Sequence, residues 1–187
     1  LLEDLGPSGD FGVYYQRRRA LKAFAAAWAR EQHQQPGWPA TSTDEAFEAQ
    51  LGEWLRFHRA ILVDEIVPLT LRYLRASPLS RERQQFDRIL VDEYQDLNKA
   101  EQSLLDYLVG EGSLTIAGGP DQAIYEGFRY AHPEGITEFH LGHPGTCDIA
   151  LDVSRRCPAP VVEMGNALIR RNRRRLERQL TASEDRN

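Results

Sequence analysis

The sequence predicts an α/β protein in which an all-helical N-terminal region precedes a parallel β-sheet. Three observations predict it. Apolar residues recur at three-to-four spacing from Phe47 to Tyr73, the period of a helix with one buried face. Two short apolar runs of strand length, Phe86–Val91 and Ser113–Ala117, flank a segment long enough for a helix. Gly110 and Gly112 close that segment and Gly118-Gly119-Pro120 closes the second run. Strand, helix and strand at this spacing form one βαβ unit, which places both strands parallel in one sheet.

Taken in order, Leu21–Gln35 is rich in alanine and other good helix formers and stops before Pro36-Gly37-Trp38-Pro39. Ser42 is expected to cap the next helix, with Glu45 three positions on. Phe47, Leu51, Trp54, Leu55, His58, Ile61, Leu62, Ile66, Leu69 and Tyr73 then mark a long amphipathic pattern, which Pro68 is expected to kink or divide. Phe86–Val91 reads as a strand buried on both faces, Leu97–Val109 as a helix and Ser113–Ala117 as the second strand. Residues 130–147 are loop-like, Ile149–Val153 is a candidate third strand, and Pro158 suits the start of a helix over Ala159–Asn172. An arginine-rich stretch at 170–178 reads as a solvated helix end.

Bulk properties restrict the function classes. The 187 residues suffice for one ordinary domain or two small pieces, with 41% hydrophobic and 27% charged residues. No apolar run approaches a membrane span, and the start does not resemble a signal peptide. Cys147 and Cys157 make no disulfide framework, so a reducing cytoplasm is expected. A net charge of −5 argues against attraction of nucleic acid by the whole surface, so any such contact must be local. The first residue is Leu, and the expectation is a piece of a longer chain.

The pentapeptide Ile-Leu-Val-Asp-Glu occurs twice, at 61–65 and 89–93. The first copy continues the helical phase, so Asp64 and Glu65 are expected to be surface acids on a helix. The second ends a strand. Ligands of open α/β sheets gather at the carboxyl ends of the strands, where an acid can hold Mg²⁺ while its neighbour orients or deprotonates a water. The sequence continues as Asp92-Glu93-Tyr94-Gln95-Asp96-Leu97-Asn98 and, after the next strand, as Gly118-Gly119-Pro120-Asp121-Gln122-Ala123-Ile124-Tyr125.

These stretches resemble motif II (the Walker B element) and motif III of the UvrD/Rep-like superfamily 1 DNA helicases, the latter usually written GDxDQSIYxFRGA. Ser154-Arg155-Arg156-Cys157 and the helix through Asn172 are similar to motif IV of the same family. The resemblance implies a partial RecA-like P-loop NTPase fold. It divides the chain into a helical accessory subdomain at 1–82, the second half of a first RecA-like domain at 83–147, and the opening of a second at 148–187. It implies ATP and Mg²⁺ as cofactors, with Asp92 on the metal and Glu93 activating the hydrolytic water. Gln122 would sense the γ-phosphate, and Arg156 would reach it from the second RecA-like domain. Tyr125 and Phe128 would stack on single-stranded DNA near a duplex junction, supported by Arg129. The remaining helicase domains are the implied partners, and movement 3′ to 5′ in DNA repair or replication is the implied setting.

The chain departs from the family pattern in three places. Gly119 replaces an Asp, Glu126 is inserted after Tyr125, and Tyr130 stands where a Gly is usual. No G-x-x-x-x-G-K-[ST] occurs, and neither lysine, Lys22 or Lys99, follows a glycine. The expectation is that these residues alone do not hydrolyse ATP. Three alternatives stay open: a motor segment, a helicase–nuclease subunit, and a non-catalytic binding module. His140, His143, Cys147 and Cys157 fit no common zinc spacing.

Overall fold

The computed structural model describes residues 1–5, 11–32, 38–172 and 178–184. Helices α1 (Tyr14–Ala29) and α2 (Ser42–His58) pack around one apolar cluster. Phe24, Trp28, Phe47, Leu51 and Leu55 form its centre, joined by Leu5. Phe24 stacks on Phe47 with ring centroids 5.8 Å apart and meets the edge of Trp38 at 5.4 Å. The helix predicted over Leu21–Gln35 starts earlier, at Tyr14, and also ends earlier, at Ala29, with Glu31 at φ 55°; residues 33–35 lie outside the described residues.

Two details of the helical region correct the sequence reading. The cap of α2 is Thr41 and not Ser42: the Asp44 N–H donates to Thr41 Oγ1 at 3.2 Å, and the Thr41 N–H donates to the Asp44 carboxylate at 3.1 Å. Asp44, with its shorter arm, closes this reciprocal pair in place of Glu45. The long amphipathic pattern divides at Arg59, which adopts φ 50°, and not at Pro68. Pro68 sits in the first turn of α3 (Ile66–Ala76), where a missing N–H leaves no helical bond unmade. Asp64 and Glu65 therefore lie in a short 3₁₀ turn, Val63–Glu65, rather than within a helix. There the Glu65 carboxylate accepts the Leu62 N–H at 2.9 Å, a local structural task.

The predicted βαβ unit is present. Strand β1 (Arg88–Val91) lies parallel to β2 (Ser113–Ile116), with Ile89 opposite Leu114 and Val91 opposite Ile116. Helix α4 (Lys99–Val109) connects them, capped by Asn98, whose side chain accepts the Glu101 N–H at 3.0 Å. The strand is not buried on both faces. Ile89 and Val91 are half-buried, whereas Leu90 is 78% exposed on the opposite side. In a strand successive side chains alternate, and α4 covers one face of these two strands.

Helix α3 packs on α4, so the helical region and the βαβ unit share a boundary. Glu31 fastens it: its carboxylate pairs with Arg75 of α3 and accepts the Ser103 hydroxyl of α4 at 2.6 Å. Beyond β2 come the short helices α5 (Glu126–Arg129), α6 (Glu134–Thr137) and α7 (Phe139–Gly142). Strand β3 spans Val153–Ser154, so that of the expected Ile149–Val153 only Val153 is strand, and it pairs in parallel with β4 (Thr181–Ala182) as a separate sheet. Helix α8 (Ala159–Ile169) follows Pro158 as expected and packs beside β4. The arginine-rich stretch lies partly outside the described residues. No helix among the described residues is long and apolar enough to cross a membrane.

Candidate functional site

Asp92 and Glu93 leave the carboxyl end of β1, both with exposed side chains. The chain turns sharply there. Glu93 adopts φ 52° and ψ 43°, a left-handed conformation that is uncommon outside glycine. The turn is held from two sides: the Glu93 N–H donates to Asp92 Oδ1 at 2.9 Å, and the Tyr94 N–H donates to the Ala117 carbonyl at 3.0 Å. A strained backbone at the tip of a strand is where functional side chains concentrate, since the surroundings must over-determine it.

Gln95 ties this tip to the neighbouring strand. Its side chain is 1% exposed, and its Nε2 donates to the Glu93 carboxylate at 2.7 Å. Its Oε1 accepts the Gly119 N–H at 3.1 Å, immediately beyond β2. One buried amide thus joins the ends of both strands, with donor and acceptor each used. Gly118 makes the approach possible, because a Cβ there would stand 2.3 Å from Gln95 Oε1 and 2.8 Å from Ile136 Cδ1. The sequence reading missed Gln95. Its position inside DEYQD was the only available signal.

Gln122 ends a short 3₁₀ turn, Pro120–Gln122, that follows directly, and its N–H donates to the Gly119 carbonyl at 2.9 Å. Its side chain is exposed, on the loop that Gln95 holds against β1. Gly119, the position where the family carries an acid, has room for a side chain: a Cβ would meet only the movable end of Gln122, at 2.9 Å. Tyr125 and Phe128 pack edge to face with centroids 5.3 Å apart, and the Arg129 guanidinium lies 5.7 Å from the Tyr125 ring. Tyr125 is half-buried and Phe128 is 68% exposed, so this small aromatic cluster presents one ring to solvent.

Gln102 was also missed. It is 6% exposed, and its Nε2 donates to the carbonyls of His132 at 2.8 Å and Leu97 at 3.3 Å. With the His132 N–H donating to Leu97 at 2.8 Å, it pins the segment after the aromatic cluster onto the start of α4. Tyr94, buried against the edge of Phe139, has its hydroxyl ionisation pushed far upward by desolvation. Burial likewise raises the Asp106 carboxyl, against the opposing pull of His143, whose Nε2 lies 3.0 Å away.

Arg156 is not brought to the acids. It is exposed in the turn after β3, in the separate β3–β4 sheet, and no hydrogen bond or ion pair joins it to Asp92 or Glu93 among the described residues. Nor do the described residues assemble three or more His, Cys, Asp or Glu side chains around a metal site. A nucleotide-bound Mg²⁺ needs only one or two protein carboxylates, the rest of its shell being phosphate and water. The exposed Asp92 fits that requirement.

Comparison with known proteins identifies the family. Residues 17–143 match the family model of the UvrD/REP helicase N-terminal domain. The chain is 30% identical to the ATP-dependent DNA helicase PcrA of Leuconostoc citreum over 156 residues, which is 78% of this chain and 21% of that protein. It is 35% identical to the ATP-dependent DNA helicase UvrD1 of Mycobacterium tuberculosis over 136 residues, 67% of this chain and 18% of the relative. DNA helicase II of Escherichia coli is 38% identical over 103 residues, 54% of this chain and 14% of its own length. The chain thus spans about a fifth, or less, of the curated relatives it matches.

Proposed function

The chain belongs to the UvrD/REP helicase family, and from that premise we propose that it is a working part of an ATP-dependent DNA helicase, carrying the acid site and the coupling loop. In this reading residues 83–147 are the second half of a RecA-like domain, 1–82 an accessory helical subdomain and 148–187 the opening of a second RecA-like domain. ATP hydrolysis belongs to the complete protein, because these 187 residues contain no glycine-rich loop with the lysine that cradles phosphates. Movement along single-stranded DNA 3′ to 5′, in repair or replication, is part of the same proposal and rests on the resemblance.

The observation that carries the reading is the Glu93–Gln95–Gly119 linkage. It fixes the Glu93 carboxylate at the end of one strand and, through the same side chain, the loop that leads to Gln122 and the aromatic cluster. Asp92 would hold Mg²⁺, which supplies charge neutralisation at the phosphates when bound. Glu93 takes the proton of the attacking water and Gln122 reads whether a γ-phosphate is present. Tyr125, Phe128 and Arg129 meet the DNA, with Phe128 the exposed stacking face. Arg156 acts on the γ-phosphate only after the second domain closes, consistent with its place beside the separate β3–β4 sheet.

The twin pentapeptides provide the test. In the complete protein, Glu93→Gln removes the base while keeping the shape, so ATP turnover should fall by a factor of about 10² to 10⁴ with nucleotide binding retained. Glu65→Gln should leave turnover near the wild-type rate, since among the described residues Glu65 serves the Leu62 N–H. Equal behaviour of the two variants in a steady-state ATPase assay would remove Glu93 from the mechanism.

A further inference from the structure

We infer that the basic face of α1 is a second surface for single-stranded DNA, continuous with the Tyr125–Arg129 cluster through Tyr130. The inference rests on the DNA-binding role proposed for that cluster and extends it to a part of the chain to which no role has been assigned.

Helix α1 contains no carboxylate and four cations, in a chain whose net charge is −5. Arg17 is engaged locally, donating to the Gly12 carbonyl at 3.0 Å. Tyr15, Arg18, Arg19 and Lys22 stand at i, i+3, i+4 and i+7, the spacing that places side chains along one side of a helix, and all four are exposed. Exposed Arg30, just past the helix end, continues the row. Among the described residues no carboxylate lies within ion-pair distance of Arg18, Arg19, Lys22 or Arg30, whereas Arg75 and Arg178 each have an acidic partner.

Tyr130 joins this row to the aromatic cluster. It follows Phe128 and Arg129 directly, and its hydroxyl donates to the Lys22 carbonyl at 3.2 Å. The Arg30 guanidinium lies 5.4 Å from its ring. Tyr130 holds φ 58°, a left-handed conformation in which a bulky side chain is strained. A glycine at this position, as the family pattern has, would adopt it freely but could make neither contact. The strained tyrosine therefore places the loop against α1 in this chain. The combined surface offers what a single strand needs: aromatic faces for bases and unpaired cations for successive phosphates. It also resolves how an acidic protein attracts a polyanion, by segregating cations on one helix.

The test uses the 187-residue chain, fluorescein-labelled oligo(dT) and fluorescence anisotropy across a series of salt concentrations. Each phosphate contact contributes about 0.7 to the slope of log K against log salt for a single strand, so Arg18→Ala/Arg19→Ala should weaken binding and reduce the slope by about 1.4. Arg72→Ala/Arg81→Ala, which removes equal charge from exposed positions elsewhere, should leave the slope unchanged. An unchanged slope in the α1 variant, or an equal fall in the control pair, overturns the inference. Phe128→Ala separates it from the proposed function. If Phe128→Ala weakens binding and the α1 variant does not, the loop binds DNA and the α1 surface is wrong. If only the α1 variant weakens binding, the surface stands and the role given to Phe128 falls. Failure of the wild-type chain to bind oligo(dT) overturns both.

Discussion

Gln95 and Glu93 share a 2.7 Å hydrogen bond in which the buried amide donates to the exposed carboxylate, while the amide oxygen holds the Gly119 N–H at 3.1 Å. The acid is therefore positioned by the same group that positions the loop after β2. Replacing Gln95 with Leu keeps its volume but leaves the partly buried Gly119 N–H without its partner. The loss should be about 1–3 kcal/mol in the stability of the 187-residue chain by urea denaturation. In the complete protein the same variant should lower DNA-stimulated ATP turnover more than it raises KM for ATP. A fall in stability with unchanged stimulation would make Gln95 a structural residue only.

Gly118→Ala tests the same junction from the other side. The added methyl meets Gln95 Oε1 at 2.3 Å, Ile136 Cδ1 at 2.8 Å and the Tyr94 backbone nitrogen at 3.1 Å, and the last of these cannot swing away. Overpacking of this kind costs about 1–3 kcal/mol, so the urea midpoint should fall with little change in slope.

Gly119→Asp restores the acid found in the family pattern, and it should be accepted. The nearest atom to the new Cβ is the Gln122 amide at 2.9 Å, the free end of a flexible and exposed side chain. Stability should change by no more than about 0.5 kcal/mol. A large loss would show that Gln122 is held more firmly than its exposure implies.

Glu31 gives a pH signature. Burial alone raises its carboxyl, but hydrogen bonds from Ser103 and Arg75 with the Arg75 charge outweigh it and leave the group below its ordinary 4.5. A carboxylate depressed by folding contributes stability that is fully present above the unfolded value and is lost as pH falls through the folded value. Glu31→Gln should cost about 2 kcal/mol at neutral pH and flatten the decline below about pH 4.5. Thermal melts of both proteins between pH 3 and pH 7 would show parallel curves if Glu31 had no such role.

The sequence by itself determined the helical N-terminal region, the βαβ unit and the helix after Pro158, but not the short helices α6 and α7, which lie in a stretch that reads as a loop. Each of the first three rests on patterns within a dozen or so consecutive residues. The helical period of the N-terminal region, the strand-length apolar runs and the glycines that close α4 and follow β2 are local matters, legible without a partner. Only the tertiary structure decided how these pieces bear on one another. Whether β1 was buried on one face or two depended on what packs over it. The division falls at Arg59 rather than Pro68, since a proline in a first turn forbids nothing. Gln95 reaching Gly119, Gln102 reaching His132, Glu31 reaching Arg75 and Tyr130 reaching Lys22 span separations of 24 to 108 residues. A hydrogen bond is short-ranged and directional, so its partner is fixed by the folded path of the chain and leaves no period or composition in the sequence to be read.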